Sequence, residues 1–597
     1  MSTTFKYLSL VTASFLLLAC GGGGSSSSGG TITAGGGGSD LTSLPNVSKN
    51  ITITGTYQIE DLGKASQVKA IVNVGTAPKS VYVLLSNSSE TKSSSPRITH
   101  NNKIAPMQKN MKEISVDVPT IHAKRAKHAP AYIQSFNQNT KKLFKNSKKV
   151  RKEKLVNTNL KPNKKDILGQ SNTFYIESDT SKSTMATSRK IVSNIATDNG
   201  NAHSKNKTLN IWVSNDSFGI GCGKTKCVTQ AMVDALAETF LKVGPNNDIY
   251  DWVTNIYGEE WNAAAKKKYD YFIGANDEIT ILLTDIGNDD SVNGGTIGYF
   301  FAKDNVDKTY VDSKGNVLAS GSNERVMFYI DAVMFANEDP GTPWSIDDAW
   351  PKEVVATLAH EFVHMIHFYQ KTLMLIPDDG EDTDTWINEM TAETTEDLVA
   401  TKIQSSGPRG VTHTDGSAGD PKNMKGRYGI FNENNTLSLT TWSGKLPDYS
   451  KVNAFGTYLT RNYGGAQVLH DIMHNAYGDE QAIIDAVRKS PQGAGKTFSD
   501  LQKEWGIAVL LSDNETLAVN KPTYNTGAFT NTTYKSVTYE LGSINFFNYS
   551  PKPTISTSVS TVAPQGNYYY KVGDDLTGTV TIDLTLNATT SATLIVK

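Results

Sequence analysis

Three of the chain's ten histidines fall at His360, His364 and His367. They sit in the apolar text Val354-Val355-Ala356-Thr357-Leu358-Ala359-His360-Glu361-Phe362-Val363-His364-Met365-Ile366-His367. On a helix, positions i and i+4 lie about 40° apart in azimuth and about 6 Å apart in rise. His360 and His364 can therefore reach one metal ion. Glu361, next to the first of them, can face a water held by that ion and serve as general base. The apolar neighbours predict a buried helix, as a dry metal site requires.

A tetrahedral catalytic zinc takes three protein ligands and keeps one position open. His367 lies on the same face but about 10 Å along the helix from His360, too far to share its ion, so it reads as a core or supporting histidine. The long metzincin motif is excluded, because His367 stands at its glycine position and Gln370 at its third histidine. The better source is Trp386-Ile387-Asn388-Glu389-Met390-Thr391-Ala392-Glu393. Glu389 and Glu393 lie one turn apart on a second helix. One can ligate the metal while the other accepts a ligand histidine's ring N–H and fixes its tautomer. Glu396, a turn further, reads as solvated.

His360-Glu361-x-x-His364 followed by Asn388-Glu389-x-x-Ala392-Glu393 resembles the gluzincins, the thermolysin-type zinc peptidases. The neighbouring text, with Ala454-Phe455-Gly456-Thr457-Tyr458-Leu459 and Asn462-Tyr463-Gly464-Gly465, is similar to the hyicolysin family of bacterial neutral metallopeptidases. The resemblance covers roughly residues 200–510. It implies one catalytic Zn2+ on His360, His364 and Glu389, with Glu361 as base and Glu393 supporting a ligand histidine. The tetrahedral oxyanion of peptide hydrolysis needs a further donor, for which Tyr458, Tyr463 and His470 are the nearest candidates. Calcium has no comparable signal: the acidic pairs Asp289-Asp290, Asp378-Asp379 and Glu381-Asp382 lack EF-hand spacing and read as hydrated loops.

The elements that must position these residues read as mixed. Strands are expected at Ile51–Tyr57, Val68–Val74 and Val81–Leu85, then at Leu209–Val213, Ile279–Leu283 and Val326–Ile330. A helix is expected over about Val228–Val243, and helical text fills about 350–403 and 450–510. Alternation returns at Gly578–Leu586. Thr173-Phe174-Tyr175-Ile176 is placed as a strand returning onto Val81–Leu85. The expected fold class is α+β: a thermolysin-like zincin domain, mixed sheet plus active-site helices, flanked by N- and C-terminal β regions.

The ends of the chain suggest its location. Lys6 precedes an apolar run, Leu8 to Leu18, too short to span a bilayer and suited to a secretory signal. Leu17-Leu18-Ala19-Cys20 resembles the bacterial lipobox, which implies lipidation at Cys20, and Gly21 after it suggests sorting to an outer membrane. Residues 21–39 are almost wholly Gly, Ser and Thr, a flexible tether. In that oxidising setting Cys222 and Cys227, four residues apart in a glycine-punctuated loop, are expected to form a disulfide. Between 101 and 166 there are 17 Lys or Arg against 4 Asp or Glu, an excess of +13 in a chain of net charge -2. That segment reads as a solvated, low-order insertion with a candidate processing site around Lys148-Lys149-Val150-Arg151-Lys152.

The expected organisation is a signal peptide at 1–20, a tether at 21–48, an N-terminal β region at 49–93 and the basic segment at 94–166. The metallopeptidase domain follows at 167–520 and a C-terminal β domain at 521–597. The expected activity is that of a lipid-anchored, extracytoplasmic zinc endopeptidase acting on proteins or peptides through a Glu-activated, zinc-held water. Membrane association is through the lipid alone, and the net charge gives no case for nucleic acid. The sequence carries no signal for oligomerisation. The competing reading is a surface adhesin or matrix-binding lipoprotein with an accessory or inactive peptidase domain; the intact Glu361 argues against it.

Overall fold

A computed structural model describes residues 45–101, 129–149, 165–196, 205–275, 277–311, 314–416, 426–514, 522–524 and 529–597. Cys20, the apolar run before it, nearly all of the tether and most of the basic segment lie outside these residues. The tether expected to reach 48 ends sooner, because strand β1 already spans Asn46–Thr52.

Strands β2 (Gln58–Lys64), β3 (Gln67–Asn87) and β4 (Arg97–His100) follow β1. The two apolar runs expected as separate strands are one 21-residue strand, β3. Helix α1 (Ala131–Phe144) comes next, inside the segment expected to be of low order. It carries a helical apolar repeat in which Ile133 and Phe144 are buried, and of its two lysines Lys142 is exposed while Lys141 is buried. Then come β5 (Ser171–Tyr175), β6 (Ser183–Ala196) and β7 (Lys205–Ser214). Helices α2 (Gln230–Phe240) and α3 (Ile249–Tyr257) precede β8 (Glu278–Thr284), β9 (Gly298–Phe300) and β10 (Met327–Asp331).

β5 pairs with β6 rather than with β3, against the expectation for Thr173–Ile176. Together β5 to β10 form a mixed six-stranded sheet in the order β9-β10-β8-β7-β6-β5. β7, β8 and β10 run parallel, while β9 is an antiparallel edge strand. Successive side chains of a strand point to opposite faces, and here both faces are covered. Leu209, Ile211, Ile279, Ile281, Phe328 and Ile330 join the main core with the helices, whereas Trp212, Leu282, Met327 and Tyr329 build a smaller core on the other face. Ile133 of α1 belongs to that smaller core.

Further helices include α4 (Ala349–His367), α5 (Thr385–Val399), α6 (Leu446–Asn462) and α7 (Phe498–Leu510). Pro351 is tolerated in α4 because the first-turn N–H groups have no intrahelical partner. A π-helical stretch, Phe368–Leu375, continues α4. The chain closes with β11 (Asn567–Thr585) and β12 (Thr590–Val596). These flank β3 on both sides, in the order β2-β12-β3-β11-β4, with β1 also on β3. The N- and C-terminal β regions are thus one sheet. Local periodicity identifies strands, and pairings some 500 residues apart in sequence lie beyond it. Among the described residues no helix is long and apolar enough to cross a membrane.

Candidate active site

α4 packs its apolar sides into the main core, with Glu361 toward the edge strand β9 and His360 and His364 toward α5. Gly298 permits that approach: a Cβ there would come within 3.0 Å of the Tyr329 carbonyl oxygen and 3.3 Å of Thr357 on α4. With the helix this close, the Phe300 N–H donates to Glu361 Oε2 at 3.0 Å. This leaves Glu361 Oε1 buried with no hydrogen-bond partner.

α5 lies across α4 and is held there by α6. Gly456 of α6 lets the two helices touch, because a Cβ on it would overlap Thr394 Oγ1 and sit 3.0 Å from Met390 Cγ. Asn453 Nδ2 on α6 donates to the Glu393 carbonyl at 3.0 Å. The acidic residues of α5 then take separate partners. Glu389 faces the histidines, with its Oε2 3.2 Å from His360 Nε2 and 3.4 Å from His364 Nε2. The two Nε2 atoms are 3.0 Å apart.

The outer ring nitrogens fix the tautomers. His360 Nδ1 lies 2.8 Å from Glu396 Oε1, and an ionised carboxylate only accepts, so Nδ1 carries the proton. His364 Nδ1 lies 3.1 Å from Asn388 Oδ1 and donates to it in the same way. Both Nε2 atoms of the neutral rings therefore bear lone pairs aimed at Glu389 Oε2. With the rings neutral, three acceptors converge on one point, and a cation there satisfies all three. Ligand bonds of about 2.0 Å at tetrahedral angles put ligand atoms about 3.3 Å apart. The observed 3.0, 3.2 and 3.4 Å match that spacing.

The electrostatics show the same demand for positive charge, which protons on the rings meet when no metal is bound. Burial alone lowers the His360 pKa, but its bonds to Glu389 and Glu396 outweigh that and hold it well above the ordinary value. Burial acts the same way on His364 and is again outweighed, here by the Glu389 charge. Burial also raises Glu361, against the pull of the two histidines.

The carboxylate hydrogen-bonded to His360 Nδ1 is Glu396, not Glu393. Expected to be solvated, Glu396 has only 12% of its side chain exposed. Glu393 lies within 4.8 Å of the same group of atoms, but it is fully buried and paired with Arg427, at 2.9 and 3.1 Å. Position 396 was findable: seven residues bring a helix back to within about 20° of its starting azimuth, closer than the 40° of position 393.

The three candidates for oxyanion donor, each of which reads from the sequence more as a packing residue, lie elsewhere. Tyr458 and Tyr463 bond each other at 3.0 Å and share Glu504. His470 Nδ1 is 2.7 Å from the Ile256 carbonyl oxygen, and its ring stacks on His474. The hydroxyl beside the site belongs to Tyr449 of α6. It is 4% exposed, interacts with the Glu389 charge and hydrogen-bonds the Gln134 side chain. No motif marks it, since only the packing of α6 on α5 brings it there. His367 lines the cleft, buried, with Nε2 unpartnered, and burial holds it neutral.

Among the described residues the clusters able to hold a metal all include His360. The acidic loops have other partners: Asp290 accepts from Thr225 N and Oγ1 at 2.7 Å, Asp378 from Tyr269, and Asp382 pairs with Lys141 at 3.6 Å. Cys222 and Cys227 are joined as a disulfide.

Residues 192–594 match the family described as Peptidase M30. The neutral metalloprotease ShpI of Staphylococcus hyicus is 23% identical over 292 residues, covering 47% of this chain and 52% of that protein. The chain thus spans about half the length of the curated relative it matches.

Proposed function

Because the chain belongs to the peptidase M30 family, we propose that it is a zinc-dependent endopeptidase of thermolysin-like, zincin arrangement. The observation that carries the reading is the convergence of three buried acceptor atoms, His360 Nε2, His364 Nε2 and Glu389 Oε2, beside an unpartnered Glu361 Oε1. When bound there, zinc supplies Lewis acidity that acidifies water and polarises a carbonyl.

The chain's own residues do the remainder. Glu361 Oε1 accepts a proton from the attacking water, whose oxygen bonds to the carbonyl carbon. Glu361 then returns the proton to the nitrogen as the C–N bond breaks. Phe300 N–H, by holding Oε2, fixes the direction in which Oε1 points. Glu396 and Asn388 keep the Nε2 lone pairs of the histidines turned inward. Tyr449 offers its hydroxyl to the oxygen that becomes an anion.

The place of action that we propose is outside the cytoplasm, on a lipid carried by Cys20. The short apolar run, the lipobox-like Leu17-Leu18-Ala19-Cys20 and the Gly/Ser tether support it. A Cys20→Ser variant that still partitions with membranes and incorporates labelled palmitate contradicts the anchor.

The activity is tested by zinc stoichiometry together with casein-peptide hydrolysis, with and without chelator. One zinc per chain, with cleavage lost on chelation and restored by zinc, is expected. A chain that binds no zinc refutes the reading.

A further inference from the structure

The cleft in front of Glu361 and Glu389 is lined in part by this chain's own helix α1, through Gln134, Asn137 and Gln138. α1 lies ahead of the residues that match the peptidase family. Its contacts repeat what a peptide would offer. The Asn137 side-chain amide donates to the Phe300 carbonyl at 2.9 Å and accepts from the Ala302 N–H at 2.8 Å. Phe300 closes β9 at the sheet's free edge and Ala302 follows two residues on; such an edge is the kind of template on which an extended peptide adds as a further strand.

One helical turn away, Gln134 Nε2 donates to Glu389 Oε1 at 2.9 Å, and the Gln134 side chain also bonds Tyr449. A carboxamide thus sits between the candidate metal ligand and the candidate oxyanion donor. Further along, Gln138 donates to Thr385 Oγ1 at 2.6 Å, at the start of α5. Lys141 donates to the carbonyls of Ile376 and Pro377, at 3.3 and 3.2 Å. The helix therefore spans the cleft from the β9 edge to the loop before α5, and fully buried Ile133 pins it to the sheet.

We propose that α1 is an internal occupant of the substrate cleft. Gln134 and Asn137 hold the positions of substrate amides, and the full chain is latent until the helix leaves. This rests on the peptidase reading, so its test measures peptide binding separately from hydrolysis.

The full chain carrying Glu361→Gln, loaded with zinc, is titrated with a fluorescein-labelled casein peptide and followed by anisotropy. Adding Asn137→Ala is expected to tighten binding about tenfold. Adding Ile133→Asp, which removes the apolar anchor of the helix, is expected to tighten it at least as much. Asn139→Ala is expected to change nothing, since among the described residues that half-buried side chain bonds the Ser135 carbonyl of its own helix. If Ile133→Asp does not fold, Asn137→Ala carries the test alone.

Unchanged affinity in the folded variants overturns the proposal, as does peptide binding by none of them. The same substitutions in the Glu361 chain are expected to raise kcat/KM by the same factor. Tighter binding without any hydrolysis supports the occupancy and contradicts the peptidase reading instead.

Discussion

Replacing Glu396 with Gln tests whether this carboxylate tunes the metal site. Its Oε1 accepts the His360 Nδ1 proton at 2.8 Å, and His360 is fully buried. Gln keeps an acceptor near that position and removes the charge. An ion on the far side of the imidazole lies roughly 7 Å from Oε1; the two positive charges of Zn2+, shared with the ligated Glu389 carboxylate, act there as about one, and a unit pair at an effective dielectric of about 20 contributes about 2.4 kcal/mol. That is a loss of roughly 50-fold in zinc affinity, inside the 10–100-fold typical for partners of metal-bound histidines. The assay is zinc titration against a competing chelator, with thermal unfolding of the metal-free chain as the companion measurement. Glu393→Gln is the contrast. It strands the buried Arg427 charge and is expected to cost about 3 kcal/mol of stability, with zinc affinity changed by less than about threefold. The reverse outcome, zinc affinity lost at 393 and kept at 396, refutes the assignment.

Gly456→Ala drives a methyl group into Thr394 and Met390; a loss of about 1–3 kcal/mol in denaturant unfolding is expected, with weaker zinc binding because Met390 adjoins Glu389. Tyr449→Phe is expected to lower kcat by about tenfold or more while leaving zinc stoichiometry intact, read by steady-state kinetics. Burial pushes the Asp331 carboxyl up to about 7, against the backbone N–H groups of Met334 and Ile286 that it accepts from and with Asp285 and Asp289 adding to the rise. A raised carboxyl contributes stability that is complete below the unfolded pKa near 4 and is lost as pH rises toward 7. Asp331→Asn is therefore expected to gain stability on the parent chain between pH 4 and 8, by at most a few kcal/mol. A gain that is flat across that range refutes the burial argument.

What the sequence made legible is what one element contains within itself. His360, Glu361 and His364 are tied together by helical geometry alone, and residue types one turn apart say what they can do. Glu389 needed the resemblance as well, because nothing in its own helix distinguishes it from Glu393 or Glu396. That choice is made between elements: Arg427, just before a later helix, claims one carboxylate of α5, and His360 of α4 claims another. Tyr449 and Gln134 enter the site from α6 and α1, 60 and 255 residues from Glu389, and no spacing rule connects them. Charge composition even pointed the wrong way for α1, since the net charge of the surrounding segment hides the Ile133, Phe136 and Phe144 repeat and one of the helix's own lysines, Lys141, is buried. Strand identity was readable by alternation, but the joining of β3 to β11 and β12 is a long-range pairing that local pattern does not encode.

The account's central claim is that Glu361 moves the proton at a zinc held by His360, His364 and Glu389. The most direct measurement is zinc content and casein-peptide hydrolysis of Glu361→Gln, made in the more active of the full chain and its Asn137→Ala variant. The account predicts one zinc per chain, bound as tightly as in the parent, and kcat/KM lower by about 10²–10⁴-fold. Full zinc occupancy with hydrolysis retained contradicts it.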